Sequence, residues 1–514
     1  MNTPPDPKDP AGSAGAADPP ARTLDDLARA GGTDREPVLP QRAGPLLYAR
    51  GADRTSCRVA ALVVMPEGEA APVLRLPDDT APEPEALAHL FGRTIWRWDF
   101  ALPARADAAY TLDGRAFKVA ADLSGDLRIA FLSCNGQEEG DAERPLDERD
   151  VMWQRLAADH ARAPCHLLLH GGDQLYADEM VTAHPELTRW QGLAVRDRGT
   201  VAFTDEMRTA ARRWLFSRYL ALVSLPTIAG LMATVPSLMM WDDHDIMDGW
   251  GSHPPAILDS PVGRGLFQVA REMFALLQLG ARPDTPPSIC ADPAGGSYTW
   301  AAGFPGFTVI APDLRSERRP QRVMAENGWH RYESLLHAAP ASDRRLVIST
   351  VPGLGPRLSW LEWIMDIIPR AQKYEDDLRD QWQSRAHRAE WRRFLAGLER
   401  DIVARQARVT LLSGEIHLAG RGEMQLGQGR RLHQLISSGI AHPRPPAIYG
   451  FVLGLLARLG GEPLPGRRIR MHPLPGRRRT YTGQRNYLTL YRSAGQWSAD
   501  WELEDSGRTE ALEI

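Results

Sequence analysis

The chain has few lysines, few cysteines, no long apolar runs and little net charge. Of its 61 basic residues, the lysines are Lys8, Lys118 and Lys373, and the formal net charge is −4. Proteins dedicated to nucleic-acid binding are usually basic, so nucleic acid is not expected as a partner. Four cysteines in 514 residues are too few and too scattered for a disulfide framework.

No apolar segment approaches the roughly 20 residues that a membrane-spanning helix needs, so no membrane insertion is expected. The N-terminal sequence MNTPPDPKDP has neither the basic and apolar regions of a secretory signal nor a twin-arginine motif. We therefore expect a cytoplasmic location. The composition, with 43% apolar and 25% charged residues, is typical of a globular protein.

The composition divides the chain into three predicted parts. Residues 1–40 are rich in Pro, Ala, Gly and Asp, which predicts a disordered tail. Residues 41–124 contain short strand-like segments separated by turns, a spacing that is typical of a small β-sandwich. Residues 125–514 alternate apolar strand-like runs with helical stretches, which predicts α/β layering.

Four short apolar runs in the third part are each followed at once by side chains that bind metals. The segments read LLLHGGDQLYAD, SLMMWDDHD, FTVIAPDLRSER and VTLLSGEIH. Each run has the length of a buried strand, and α/β enzymes collect ligands at the ends of such strands. Four clusters of this kind predict a metal site.

The first and last of these clusters supply ligands at short spacing. Asp173 follows two glycines, and a helical turn would bring Tyr176 to the same side, where a phenolate favours a trivalent metal. Simple packing and hydrogen bonding is the alternative for Tyr176. Glu415 and His417 share one side of an extended segment. Cys134 ends the apolar run IAFLSC at the same kind of position, which favours a metal-bound thiolate.

The WDDHD cluster places three carboxylates around one histidine. Such like charges repel one another unless a cation, a proton or solvent separates them, so a solvated acidic turn is the alternative to a metal site. Asp243 is the preferred ligand and Asp242 the second choice. His244 is a candidate to protonate a leaving oxygen or to orient a transferred phosphoryl group. Asp248 and His253 are expected to line the same site, with Asp248 as a further candidate catalytic residue.

The remaining cluster supplies two acids and two arginines: Asp313, Arg315, Glu317 and Arg318. Arg315 is a candidate catalytic residue because its planar fork suits phosphate oxygens. A structural salt bridge at the strand end explains the same pattern equally well. The segment PLPGRR occurs twice, and its arginine pairs suit either a polyanion or a solvated loop.

Eight ordered segments resemble the motifs of the PhoD-like alkaline phosphatases and phosphodiesterases of the calcineurin-like metallophosphoesterase superfamily. They are FLSCNG, GGDQLYAD, WDDHDIMDGWGS, DLRSER, LVISTVPGLGPRLSW, DDLRDQW, LSGEIH and QLISSGIAHP, within residues 127–445. The resemblance implies an α/β fold, a four-layer αββα sandwich preceded by an immunoglobulin-like β-sandwich domain. It also implies hydrolysis of phosphate monoesters or diesters by a metal-activated water.

The resemblance further implies a binuclear centre of Fe³⁺ and Ca²⁺, or another divalent metal, with six ligands: Cys134, Asp173, Tyr176, Asp243, Glu415 and His417. The cysteine, the first aspartate and the tyrosine would hold iron, and that aspartate would bridge toward calcium. Glu415 stands where the family usually has Asp. This departure motivates an alternative, a non-catalytic relative that binds phosphorylated ligands or protein partners. Nucleic-acid hydrolysis guided by the PLPGRR arginines is a weaker alternative.

Overall fold

The computed structural model of the protein describes residues 40–355 and 380–514. The tail predicted for residues 1–40 lies outside these residues except for Pro40. Parts of the LVISTVPGLGPRLSW and DDLRDQW motifs also lie outside them.

The strands of the described residues are β1 (Ala43–Ala52), β2 (Ser56–Pro66), β3 (Leu74–Arg75), β4 (Glu85–Leu90), β5 (Arg93–Pro103), β6 (Ala108–Leu112), β7 (Arg115–Val119), β8 (Leu127–Leu132), β9 (Leu167–Gly171), β10 (Ser237–Met240), β11 (Trp300–Phe304), β12 (Phe307–Ala311), β13 (Arg344–Ile348), β14 (Arg408–Ser413), β15 (Ala419–Gln425), β16 (Arg431–Ile436), β17 (Gly461–Leu464), β18 (Arg467–His472), β19 (Tyr481–Thr482), β20 (Asn486–Ser493), β21 (Gln496–Leu503), β22 (Gly507–Arg508) and β23 (Leu512–Glu513).

The α-helices of the same residues are α1 (Leu146–Arg149), α2 (Val151–Arg162), α3 (Pro185–Gly192), α4 (Val195–Arg198), α5 (Asp205–Val223), α6 (Pro226–Thr234), α7 (Pro255–Leu258), α8 (Pro261–Leu277), α9 (Glu326–Ala338), α10 (Arg388–Ala404) and α11 (Ala447–Leu459). Short 3₁₀ helices cover Asp141–Glu143, Asp178–Ala183 and Gly427–Gly429. Local sequence sets some helix starts: the Thr204 side chain accepts the N–H of Met207 at the start of α5.

Two large mixed sheets organise the fold. The first has the order β22-β21-β20-β8-β9-β10-β1-β2-β5-β4, with β23 beside β21. The second has the order β11-β12-β13-β14-β16-β15-β18-β17, with β19 beside β15. Strands β8, β9, β10 and β1 run parallel in the first sheet, and β12, β13, β14 and β16 run parallel in the second. Each sheet therefore has a parallel centre whose carboxyl ends share one edge.

Alternating side chains of the second sheet enter two different cores. Val309 of β12 and Leu346 of β13 belong to the core shared with the first sheet. Their neighbours Ile310 and Val347 belong to a second core that also contains Trp329 of α9. Successive strand residues point to opposite faces, so one face meets the other sheet and one meets helices. With α2, α5, α6 and α8 contributing to the core of the first sheet, the layers follow the predicted αββα order.

The immunoglobulin-like sandwich predicted within residues 41–124 is not confirmed. Strand β1 pairs in parallel with β10 through Tyr48 and Ser237, and β2, β5 and β4 continue the first large sheet. The apolar run of β2 is buried on both faces, whereas an open two-layer sandwich would expose alternate residues. Strands β3, β6 and β7 form a small sheet of their own. The domain boundary between residues 124 and 125 stays a prediction.

Among residues 40–355 and 380–514, no single helix is both long and apolar enough to cross a membrane. Helices α5 and α6 pass that test only when taken together, and the pair is bent by 79°.

Candidate metal centre

The predicted ligands lie just beyond the carboxyl ends of four strands. Cys134 follows β8, Asp173 follows β9, Asp243 follows β10 and Glu415 follows β14. Because parallel strands end at a common edge, the first three share one edge of the first sheet. The fourth strand brings its loop to the same place from the second sheet.

Two glycines allow these loops to approach one another closely. A Cβ on Gly414 would lie 2.3 Å from Ser133 Oγ and 2.9 Å from the backbone oxygen of Gly171. A Cβ on Gly172, whose φ is 99°, would lie 2.6 Å from Asp242 Cβ beyond β10 of the first sheet and 3.2 Å from Thr350 Cγ2 beyond β13 of the second. The contact between the two sheet edges therefore requires glycine at both positions.

Cys134, Asp173 and His417 form a first group of potential ligands, whose donor atoms lie within 4.8 Å of one another. The Cys134 thiol donates to Asp173 Oδ2 at 3.3 Å, and the Tyr176 hydroxyl lies 3.1 Å from His417 Nε2. Burial, followed by the charge of Asp173, raises the pKa of Cys134 well above its usual value. Without a nearby cation the thiol is therefore neutral.

Asp173, Asp242 and Asp243 form a second group with the same 4.8 Å limit. Asp173 Oδ1 and Asp242 Oδ2 are buried and accept no hydrogen bond from the described residues. Burial, and then the charge of Asp243, raises the pKa of Asp173 well above its usual value. Orphaned carboxylate oxygens this close together fit a bound cation, because a cation offsets both their mutual repulsion and the cost of burial.

His244 is held beside this group as a proton-bearing side chain. Its Nδ1 lies 3.0 Å from Asp178 Oδ2, and its ring stacks on Tyr176 with centroids 4.4 Å apart. Burial opposes the charged imidazolium, but Asp178 and Asp243 outweigh it and raise the pKa of His244 well above its usual value. The exposed residue Asp248 donates its backbone N–H to Asp178 Oδ1 at 2.6 Å, which fixes the partner of His244. These contacts favour the protonated form of His244.

Arg315 is fully buried within a network of carboxylates. Its guanidinium pairs with Asp242, with Asp380 at 2.6 Å and with Asp243 at 3.3 Å. Arg318 pairs with Asp380 at 3.0 Å. The salt-bridge interpretation of this cluster thus describes the observed contacts, with partners from other segments. The phosphate-binding role of Arg315 stays a prediction.

The two acidic side chains of the same cluster do not pair with the Arg315 guanidinium, although Asp313 accepts the backbone N–H of Arg315 at 3.0 Å. Asp313 accepts hydrogen bonds from Trp241 Nε1 at 3.0 Å and from the N–H of Tyr298 at 2.7 Å. Glu317 lies 3.5 Å from Arg331 Nη1. His253 Nε2 contacts the backbone oxygen of Asp248 at 2.6 Å, at the exposed rim.

Glu415 lies apart from the two ligand groups. Gln381 Nε2 donates to both of its carboxylate oxygens, at 2.7 and 2.8 Å. Burial, and then the charges of Asp380 and Asp242, raises the pKa of Glu415 well above its usual value. Among the described residues Glu415 belongs to no cluster of potential ligands, whereas His417, two residues later, belongs to two.

A family model of PhoD-related phosphatases matches residues 116–376, half of the 514-residue chain. The chain belongs to the PhoD-related phosphatase family. The matched range contains Cys134, Asp173, Tyr176 and Asp243 and ends before Glu415. Family membership and the clustered ligands support a phosphatase-type enzyme with a metal centre.

One solved structure is similar to this chain at the level of the fold. The solved structure of PhoD aligns with a TM-score of 0.55 and 11% identity, covering 91% of this chain and 88% of that one. A dimetal phosphatase from Danio rerio aligns at 11% identity over 76% of this chain and 98% of that one, with a TM-score of 0.34. This TM-score is too low to support an argument about the fold. Uncharacterized protein YGR266W of Saccharomyces cerevisiae is 25% identical over 349 residues, 56% of this chain. The alignment spans 49% of that relative.

Sequence reasoning assigned no role to two further potential ligands in this PhoD-related chain. His442 stacks on His417 with centroids 3.4 Å apart, and its Nε2 lies 3.4 Å from Glu138 Oε1. Glu138, His417 and His442 form a third group within 4.8 Å. The available signal was the QLISSGIAHP motif, in which a strand again ends shortly before a histidine.

Asp245 is a third residue whose role the sequence did not indicate. Its carboxylate accepts the N–H groups of Asp173 at 2.9 Å, Leu175 at 3.1 Å and Asp242 at 2.9 Å. The third carboxylate of WDDHD therefore holds the two ligand loops together. Gln278 Nε2 donates a further hydrogen bond to Asp245 Oδ1 at 2.8 Å. Spacing alone does not separate such a structural carboxylate from its neighbours.

Four predicted ligands have left-handed backbones: φ is 53° at Cys134, 54° at Asp173, 62° at Glu415 and 53° at His417. This region costs a non-glycine residue roughly 1–2 kcal/mol. Such conformations persist where surrounding contacts fix them, and they concentrate at functional sites.

Proposed function

We propose that the protein hydrolyses phosphate monoesters or phosphodiesters at a binuclear metal centre. The observation that carries the proposal is that Asp173 belongs to two ligand groups at once, one with Cys134 and His417 and one with Asp242 and Asp243. A carboxylate shared between two groups is what a bridging ligand requires. Small phosphate esters are the expected substrates, and nucleic acid is not.

The donor chemistry supports an assignment of Fe³⁺ and Ca²⁺ to the two positions. Cys134, Asp173 and Tyr176 offer a thiol, a carboxylate and a phenol, a set that suits a trivalent iron. The carboxylates around Asp243 suit calcium, which prefers several oxygen ligands. His417 supplies a nitrogen to the first group, and the raised pKa of Tyr176, caused by burial and then Cys134, falls once a cation is bound.

Bound metal ions would supply an activated water and would neutralise charge on the phosphoryl oxygens. His244, protonated through Asp178, donates a proton to the leaving oxygen. Asp248 acts on His244 through its hydrogen bond to Asp178. Arg315 holds Asp242 and Asp243 in register and balances their charge.

The test combines metal content with turnover. Purified protein is assayed for iron and calcium, for a phenolate-to-iron absorption band, and for hydrolysis of p-nitrophenyl phosphate and bis-p-nitrophenyl phosphate. Asp173→Asn is the informative variant because asparagine tolerates the left-handed backbone at this position. Asp79→Asn is the matched control, since Asp79 also has positive φ, at 65°, and is exposed.

We expect Asp173→Asn to lose metal and at least about a hundredfold in turnover, the scale on which transition-state charge stabilisation acts, while Asp79→Asn retains both. Full activity and metal content in Asp173→Asn would refute the proposal. Bound metal without turnover of either ester would favour the non-catalytic alternative. That alternative is motivated by Glu415, whose two carboxylate oxygens both accept hydrogen bonds from Gln381. The cytoplasmic location stays a prediction.

A further inference from the structure

Helix α11 presents large apolar side chains to solvent. Phe451 and Leu455 are 69% and 54% exposed, and they lie one helical turn apart on the same face. The opposite face anchors the helix, because Leu453 and Ala457 are buried in a cluster with Tyr481. The exposed face is therefore held in a fixed position on a folded support.

Arginines surround this exposed face. Arg458, Arg478 and Arg479 line a cleft of 780 Å³ together with Phe451 and Leu455. All three are exposed and form no ion pair with a carboxylate of the described residues, because Asp505, which also lines the cleft, pairs with Arg444. We call these five residues the helix–arginine surface. It joins two sequence features that the phosphatase chemistry does not use, an apolar helix and the second PLPGRR repeat.

We propose that the helix–arginine surface docks the protein peripherally on bilayers that contain anionic phospholipids. Exposed Phe and Leu side chains gain free energy in the interfacial region, and nearby cations are attracted to anionic headgroups. A helix of 13 residues is about 20 Å long, too short to span a bilayer but suited to lie in its interface.

Charge complementarity favours this occupant over a second copy of the chain. A symmetric dimer through this surface would place the arginines of each copy against those of the other, which is unfavourable. A soluble anion would satisfy the arginines but would leave Phe451 and Leu455 in water. An anionic bilayer satisfies both kinds of side chain.

The surface lies close in sequence to the candidate metal centre. Leu418, which lines the cleft, directly follows His417, and Pro445 lines it shortly after His442. Docking nevertheless requires no hydrolysis, so its test is independent of the phosphatase proposal.

The experiment is co-sedimentation of the full chain with two kinds of vesicle, phosphatidylcholine alone and an equal mixture of phosphatidylcholine and phosphatidylserine. We expect binding to the mixed vesicles and little to phosphatidylcholine. The double variant Phe451→Ser/Leu455→Ser is expected to bind at least about tenfold more weakly, since burial of such side chains drives interfacial binding. The double variant Arg478→Gln/Arg479→Gln is expected to lose about fivefold in affinity for the mixed vesicles for each arginine replaced. Added salt is expected to weaken binding of the wild type.

Val73→Ser/Val195→Ser is the matched control, because these exposed apolar residues lie outside the helix–arginine surface. It is expected to bind like the wild type. Three results would overturn the proposal: no binding to mixed vesicles, equal binding to both vesicles, or equal loss in the control. Sedimentation velocity without lipid is the last arm; a dimer that Phe451→Ser/Leu455→Ser dissociates would assign the surface to a second copy instead.

Discussion

The candidate metal centre and the helix–arginine surface depart from ordinary burial in opposite directions. The centre buries carboxylate oxygens that lack hydrogen bonds, such as Asp173 Oδ1, whereas the surface exposes Phe451 and Leu455 to water. Each departure costs free energy in the isolated chain. The proposed partner differs accordingly: a cation for the centre, and an apolar anionic interface for the surface.

The two regions also differ in how much their side chains contribute to the stability of the fold. At the centre, residues from both sheets share hydrogen bonds, so a substitution there disturbs the core. At the surface, the exposed side chains contribute little to folding. Stability measurements on both regions therefore sharpen the contrast.

The largest effect is expected for Arg315→Met. Removing this guanidinium leaves Asp242 and Asp243 buried without their counter-charge and leaves Asp380 with Arg318 as its remaining partner. We expect the free energy of unfolding to fall by about 3–5 kcal/mol, measured by urea denaturation. The control Arg319→Met removes a half-exposed pair with Asp259 and is expected to cost less than about 1 kcal/mol. Equal losses in the two variants would contradict this account of the network.

A smaller effect is expected from pH at His170, a buried residue in the strand that leads to Asp173. Burial, partly offset by Gln174, lowers the pKa of His170 to about 4. In the unfolded chain the His170 imidazole protonates near pH 6.5. The contribution of His170 to the free energy of unfolding is therefore complete above pH 6.5 and is lost as pH falls toward 4. Between pH 7 and 4.5 the wild type should lose about 2–3 kcal/mol more than His170→Gln.

The measurement is urea denaturation of both proteins at the two pH values. His330→Gln, at a mostly exposed helix position, serves as the control for histidine substitution in general. A parallel decline in the wild type and His170→Gln would show that His170 does not contribute.

Gly414→Ala tests the contact between the two sheet edges. The added Cβ would overlap Ser133 and approach the backbone of Gly171, which cannot move freely. We expect a loss of about 1–3 kcal/mol in the free energy of unfolding, together with reduced metal content. Gly397→Ala, in helix α10 with no atom near the added Cβ, should be neutral or slightly stabilising. Retained metal and stability in Gly414→Ala would argue against a tight junction at this point.

The smallest effect is expected for Phe451→Ser. Because this side chain is largely exposed, its loss should change the free energy of unfolding by no more than about 0.5 kcal/mol. Thermal and urea denaturation check this value. A large destabilisation would mean that Phe451 supports the fold, and the contrast between the two regions would fail.

The convergence of the strand-end side chains could be predicted from local sequence. A buried run followed at once by Cys134, Asp173 or Asp243 fixes each residue near a strand end, and parallel pairing brings those ends together. The partners of Arg315 and Glu415 could not be predicted in this way. Asp242 and Gln381 come from other segments of the chain, and no spacing rule connects them to those residues.

The sequence by itself determined the α/β alternation, the order of the ligand-bearing segments and the family resemblance. These depend on periodicity and on local residue patterns, which a chain carries without folding. Tertiary structure decided that β1 joins the first sheet, that Asp173 belongs to two ligand groups and that Gln381 contacts Glu415. Those outcomes depend on pairing between distant segments, whose free energy comes from packing and hydrogen bonds that exist only in the folded protein.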